Sequence, residues 1–266
     1  MEEIIRRAKE EDIPRLREIW AECFPLDTEY AEFFFERIFR VPSAVVCEIG
    51  GECVAMIHVF PRILSTPEEE LSAKYIYGVG TLKKFRGQGI AGRLLQSEEK
   101  ACDALLLIPQ SESLFEFYKK YGFSELSKVR KFSEKTKGKA EVFRAGEDDI
   151  AHLNSVYESM LSGKVFARRD YKTWKLLIDE YSFLGGGFAV WRDGYCAYYE
   201  HGGKLVIPEF FSKETSPASV AGAFGRECEI TTFGGETPLA VIKPLSERAK
   251  DAIGKESARY INLMHN

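Results

Sequence analysis

The chain repeats itself. Arg7-Ala8-Lys9-Glu10-Glu11-Asp12-Ile13 near the start returns as Arg144-Ala145-Gly146-Glu147-Asp148-Asp149-Ile150, with Arg, Ala, Glu, Asp and Ile at the same spacing. Leu16 is then answered by Leu153 and Trp20 by Tyr157. A second echo follows in the same order. Ala44-Val45-Val46 leads into Gly50-Gly51-Glu52-Cys53-Val54-Ala55, and Ala189-Val190-Trp191 leads into Asp193-Gly194-Tyr195-Cys196-Ala197. Each is an apolar strand, a glycine-containing turn and a second strand, the pattern of a hairpin. Two echoes in one order restrict the chain to one fold built twice. Ser133-Glu134-Lys135-Thr136-Lys137-Gly138-Lys139 is polar and lacks apolar periodicity, so it reads as the linker. The expected domains are residues 1–135 and 136–266.

In the first copy, Ile4–Ala8 reads as a strand, and Asp12 as the N-cap of a helix with Pro14 in its first turn. Thr28 to Phe39 reads as an aromatic-rich helix. The hairpin follows, then a strand Leu71–Leu82, a helix Gly89–Lys100, a buried strand Ala104–Ile108 and a helix Ser113–Tyr121. In the second copy, Asp149–Leu161, Asp170–Tyr181 and Pro217–Glu227 read as helices around a strand meander. Short strands close the chain, the last over 258–266. The fold class is therefore α/β (α+β), with a mixed, mostly antiparallel sheet flanked by helices in each half.

Composition narrows the function. Lys and Arg total 37 against 41 Asp and Glu, a net charge of -4, so no basic face for nucleic acid is demanded. No uncharged apolar run reaches the roughly 18 residues a membrane helix needs. The six cysteines form no C-x-x-C pair and the four histidines are scattered. The expectation is a reducing cytoplasm with no metal site and no disulfide framework.

Chemistry concentrates in Thr81-Leu82-Lys83-Lys84-Phe85-Arg86-Gly87-Gln88-Gly89-Ile90-Ala91-Gly92-Arg93-Leu94-Leu95. A strand ends, a basic glycine-rich turn follows, and an amphipathic helix begins. Glycines admit an anion close to backbone amides, and the helix start adds unpaired N–H groups and the positive end of its dipole. Arg86 with Lys83 or Lys84 adds full charges. A Walker A loop is excluded, because no Gly-Lys-Ser/Thr follows. The dinucleotide fingerprint lacks its acidic residue after a second strand.

Further on stand the apolar Ala104–Ile108 and Ser113-Leu114-Phe115-Glu116-Phe117-Tyr118-Lys119-Lys120-Tyr121-Gly122-Phe123. With these segments and the opening Arg7–Ile13, the stretch from Ile4 to about Phe132 resembles the GCN5-related N-acetyltransferase (GNAT) superfamily. The tandem arrangement resembles the enhanced-intracellular-survival (Eis) type, without the sterol-carrier-like domain usual there. The second half has no Arg/Gln-x-x-Gly-x-Gly/Ala turn, so the first copy alone is expected to bind acyl-CoA and the second to shape the acceptor side.

The resemblance implies an acetyl-CoA-dependent N-acetyltransferase acting on a small-molecule amine. Val79, Gly80 and Thr81 would offer strand backbone to the pantetheine arm, like an added strand. The amide near Val79 would polarise the thioester carbonyl; its other reading is plain strand core. Arg86, Gly87, Gln88, Gly89, Ile90, Ala91 and Gly92 would hold the pyrophosphate, and Ser113 completes the cofactor-binding set. Tyr118 would protonate the leaving thiolate, or else it packs as an ordinary helix aromatic. Glu32, Glu36, Glu48, His58, Tyr77 and the terminal carboxylate of Asn266 are candidates for the base. Phe33, Phe34, Phe35 and Phe39 are core or amine-pocket wall. Two other functions stay open: a non-catalytic acyl-CoA-binding regulatory module, and a tandem aminoacyl or thiol-conjugate transferase. A homo-oligomer is compatible with all of them.

Overall fold

The computed structural model describes residues 2–26, 28–255 and 259–263. Two compact units emerge. The first is Met1–Ile63 with Leu71–Ser124 and Val241–Asp251; the second is Leu64–Glu70 with Glu125–Ala240 and Ala252–Asn266.

In chain order the elements begin with β1 (Glu3–Arg7), α1 (Ile13–Cys23), α2 (Thr28–Phe33), β2 (Ala44–Ile49), β3 (Glu52–Ser65), β4 (Glu70–Thr81), α3 (Ile90–Ser97), β5 (Ala104–Leu107) and α4 (Glu112–Lys119). Next are β6 (Ser124–Glu134), β7 (Phe143–Ala145), α5 (Ile150–Leu161), β8 (Val165–Ala167), α6 (Tyr171–Phe183), β9 (Gly187–Trp191) and β10 (Gly194–His201). The chain continues through β11 (Lys204–Ser212), α7 (Pro217–Phe224), β12 (Cys228–Phe233), β13 (Thr237–Pro244), α8 (Glu247–Lys255) and β14 (Arg259–Tyr260).

The first unit orders its strands β1-β2-β3-β4-β5-β13, and the second β7-β9-β10-β11-β12-β6. Pairing repeats position by position. β1/β2 and β7/β9 are antiparallel, as are the hairpins β2/β3 and β9/β10. β4/β5 and β11/β12 are parallel, and β5/β13 and β12/β6 are antiparallel. The α/β class with mixed, mostly antiparallel sheets is thus observed. The repeated opening also has a structural counterpart. Asp12 accepts the Lys9 N–H (2.7 Å), and Asp149 accepts the Gly146 N–H (2.9 Å).

The last strand of each unit comes from an unexpected place. β6 follows α4 directly in the chain, yet it pairs with β12 of the second unit. Val241–Pro244 of β13 pairs with β5 instead, in the first. Each unit therefore borrows its closing strand from the other half of the sequence. The expected single division at 135/136 gives way to a first unit that needs 241–251 as well. Ser133 and Glu134, read as linker, pair with Glu229 and Cys228. The rest of that stretch is tied by Lys137 N–H to Ala218 O (3.2 Å) and Ala140 N–H to Ser219 O (2.9 Å).

Three local readings change. Asp12 occupies the N-cap of α1 as expected, but its side chain does not cap that helix; the carboxylate turns back to Arg6, at 2.6 and 3.0 Å, and to Lys9. That guanidinium pulls the Asp12 carboxyl down to about 2. The Thr28–Phe39 helix is α2 followed by a wide turn over Phe34–Ile38, closed by Phe39 N–H to Phe34 O at 2.8 Å. The wider turn lets three consecutive rings, Phe33, Phe34 and Phe35, all be buried. The closing strand expected over 258–266 is the two-residue β14 paired with β8, and Asn266 lies outside the described residues.

The second unit's core surrounds an ion pair. Arg169 bonds Glu209 bidentately at 2.6 and 2.7 Å. Its guanidinium lies 4.2 Å from the Tyr157 ring centre and 4.7 Å from that of Trp174. Tyr195 and Tyr260 donate hydroxyls to Glu209 at 2.8 and 2.7 Å. Sealed charges are tolerated because nearly every lone pair is met.

The strand exchange makes a prediction. Asp103, at the start of β5, accepts Ser246 Oγ (2.8 Å) and Arg248 Nε (2.8 Å). A fragment ending at Lys137 loses both partners and leaves β5 an open apolar edge. It should be insoluble or lack near-UV dichroism, whereas a soluble, cooperatively melting fragment would contradict the exchange.

Candidate active site

β4 and β5 run together only briefly. Ala73, Lys74 and Tyr75 pair with Ala104, Leu105 and Leu106, and there the pairing ends. β4 continues six residues further, to Thr81. Ile76–Thr81 is thus strand backbone without β5 beside it. Gly78 interrupts it with φ +56°. A Cβ there would come within 2.9 Å of Trp20 and 3.0 Å of His58, so both space and backbone select glycine.

The turn that follows is rich in glycine and open on one side. Arg86 Nε donates to Thr81 O (2.9 Å), fixing the guanidinium at the strand end. Gly87 and Gly89 both adopt φ +74°. A Cβ at Gly87 would meet nothing within 4 Å, so the turn has an open side. Among the described residues, the amides of Gly87 through Gly92 donate to no backbone carbonyl. Gly89 is the N-cap of α3 and offers no side-chain cap. Lys83 and Lys84 are exposed on the same turn.

Not every residue of the expected set faces outward. Ile90 is buried in the core and Ala91 is half-buried. Gly92 is glycine for packing: a Cβ would lie 2.1 Å from Tyr121 Cε1. Val79 and Thr81 are half-buried and Gly80 is buried against Cys23 and Ile19. Ser113 is exposed, its Oγ 3.0 Å from Ser111 Oγ at the start of α4.

α3 and α4 each begin beyond the C-terminal end of a parallel strand, β4 and β5 respectively, where open α/β sheets take their ligands. Tyr118 sits on α4 against Phe117 and Phe123, with ring centres 5.2 and 5.8 Å away. It is 6% exposed. Its hydroxyl bonds no side chain among the described residues. Burial pushes the phenol well above its ordinary value, so it remains a proton donor.

The base candidates fare differently. Glu32 pairs with Arg17 (2.7 Å) and Glu48 with Arg6 (2.9 Å). The Tyr77 hydroxyl bonds Tyr30 (3.2 Å), and Glu36 is exposed. His58 is wholly buried among Trp20, Phe34, Phe35 and Phe39. Burial pushes its imidazole down to about 3. The phenylalanine run is core around that neutral ring.

The second unit handles the same place otherwise. β11 and β12 pair from Leu205/Cys228 to Ile207/Ile230, shift register, and pair again at Phe210/Thr232. Asp193, in the β9–β10 hairpin, accepts the N–H of Glu214 (2.7 Å) and Thr215 (3.1 Å) after β11. The Ser216 side chain caps α7 through Ser219 N–H. The N–H groups of Glu214, Thr215 and Ser219 are thus met by side chains of the chain itself. Sequence could flag this only as a missing glycine turn; Asp193 as the substitute acceptor was not legible.

Residues 4–126 match the family model of the acetyltransferase (GNAT) domain. Solved structures share the fold across nearly the whole chain. A probable N-acyltransferase from Enterococcus faecalis aligns with TM-score 0.74 and 13% identity, covering 94% of this chain and 74% of that one. A GCN5-related N-acetyltransferase from Kribbella flavida gives 0.66 and 15%, covering 93% and 73%. Eis1 from Mycobacterium abscessus gives 0.63 and 12%, covering 95% and 76%. No curated protein matches the sequence.

Packing at Gly92 can be tested apart from activity. Gly92→Ala forces Tyr121 aside and should destabilise the protein by about 1–3 kcal/mol, read from denaturant midpoints. An unchanged midpoint would show that Tyr121 moves freely.

Proposed function

We propose that the first unit is an acetyl-CoA-dependent N-acetyltransferase acting on the amine of a small molecule. The observation that carries this reading is the unpaired length of β4 leading into a glycine turn with free amides. Backbone groups of Val79–Thr81 suit an extended amide-bearing arm, and the turn suits a pyrophosphate. The donor supplies an activated acetyl thioester.

The chain's own residues then have these duties. Arg86 and the amides from Gly87 to Gly92 anchor the donor's charged end. The backbone N–H near Val79 stabilises negative charge on the thioester oxygen. Tyr118 gives its proton to the departing thiolate. Burial disfavours charge on phenol and thiolate alike, so a raised phenol pKa does not disqualify the transfer. The amine must arrive neutral, and its proton leaves to a group we do not assign: Glu32 and Glu48 are held by arginines and His58 is sealed. Tyr118, with a hydroxyl free of protein partners, favours catalysis over a non-catalytic acyl-CoA-binding module. We place the protein in the cytoplasm, where its six free thiols stay reduced.

Two variants and an acceptor screen test the proposal. Gly89→Val puts a β-branched residue at φ +74° and should abolish CoA binding in calorimetry; unchanged affinity would remove the turn from the site. A panel of amines with acetyl-CoA and a thiol-release readout identifies the acceptor. With it, Tyr118→Phe should lower kcat about 10²–10⁴-fold while leaving CoA affinity nearly intact. Because its pKa is raised, Tyr118 stays protonated past its ordinary range and should add no alkaline fall in rate below about pH 10. A kcat equal to wild type would reduce Tyr118 to a packing residue.

A further inference from the structure

Arg93 lies on α3, one turn past the glycine loop, and its side chain points back to it. Nη1 donates to the Gln88 carbonyl at 2.8 Å. The guanidinium is itself gripped by Glu3 of β1, with Nε to Oε1 at 2.6 Å and Nη2 to Oε2 at 2.7 Å. The Arg93 backbone N–H also closes on Gly89 O (3.2 Å). One residue therefore fixes the carbonyls on both sides of Gly89.

The geometry of the peptide unit gives this a consequence. In a planar trans peptide the C=O and the following N–H point in opposite directions. Holding the Gln88 carbonyl toward Arg93 turns the Gly89 N–H away from it. Glycines flank Gln88 on both sides, so nothing in the loop's own stereochemistry prevents that peptide from turning over. Turned over, it would aim a carbonyl oxygen where an N–H now points, and an anion would be repelled. Glu3 and Arg93 are both partly exposed, so their ion pair adds little to stability by itself. Glu3 balances the arginine charge and fixes the guanidinium plane.

We propose that Arg93, oriented by Glu3, is a positioning residue that sets the Gln88–Gly89 peptide with its N–H toward the donor's pyrophosphate. The assignment rests on the acyl-CoA reading above. It makes β1 part of the anion site's support.

Three full-length variants separate geometry from charge. Arg93→Met removes every donor, Glu3→Gln loosens the grip on the guanidinium, and Arg93→Lys keeps the charge without a fork that spans Glu3 and Gln88 at once. Calorimetry with CoA should show Arg93→Met weakened about tenfold, the effect of one charge-assisted hydrogen bond lost. Arg93→Lys should be as weak, and Glu3→Gln should fall between these and wild type. Melting temperatures should stay close to wild type. In ¹H–¹⁵N spectra the Gly89 amide proton should move downfield when CoA is added to wild type, and not in Arg93→Met. Unchanged affinity in Arg93→Met, full affinity in Arg93→Lys, or a preserved Gly89 shift in Arg93→Met overturns the assignment. Wild type that fails to bind CoA overturns the acyl-CoA reading itself, and this assignment with it.

Discussion

The active unit depends on where two parallel strands stop pairing. β4 and β5 share three residue pairs and then separate, although β4 keeps its extended form through Thr81. Backbone N–H and C=O groups cannot be left without partners away from water at small cost, so such a strand length persists where something else will pair with it. The positive φ of Gly78 and the turn after Thr81 both lie in the stretch that β5 leaves uncovered. Gly78 lets the strand approach Trp20 and His58, and Arg86 pins the strand end by its bond to Thr81 O. α3 then starts with its first amides unspent. Had β5 continued alongside β4, neither an arm-length gap nor an open helix start would exist.

The second unit shows that outcome. β11 and β12 remain paired, and the amides after β11 go to Asp193. A carboxylate from the chain itself takes the place that an exchangeable anion could take in the first unit. The same strand order thus carries a chain carboxylate on the turn amides of one copy and leaves the turn amides of the other without a backbone acceptor among the described residues. The sealed Arg169–Glu209 pair, with its tyrosine hydroxyls, belongs to the second unit. It ties together β10, β11, β14 and the segment after β8.

Much of this was legible in the residues. The double echo predicted two copies of one strand order, and Asp12 and Asp149 make matching backbone bonds. The glycine turn, the apolar β5 and the Tyr118 segment fell where periodicity put them, because each is dictated by local backbone needs. What stayed hidden is non-local. Nothing in Ser124–Glu134 says whether it pairs with β5 or β12, since an amphipathic edge strand suits either neighbour. The polar Ser133-Glu134 end looked like linker because its partners, Glu229 and Cys228, lie far along the chain. α8 was missed for the same reason: its charged surface is explained only by Asp103, which Arg248 reaches across the sequence. Glu32 and Glu48 are held by arginines, which sequence does not reveal: it shows which residues carry a proton-accepting group, not which are already paired.

The exchange of closing strands bears on how such a duplication can persist. Two copies joined by a flexible linker could each decay alone. Here the first unit cannot complete β5 without Val241–Pro244, nor satisfy Asp103 without Ser246 and Arg248. The second cannot complete β12 without β6. The second half of the sequence thus lacks the glycine turn while its Val241–Pro244 is still needed beside β5.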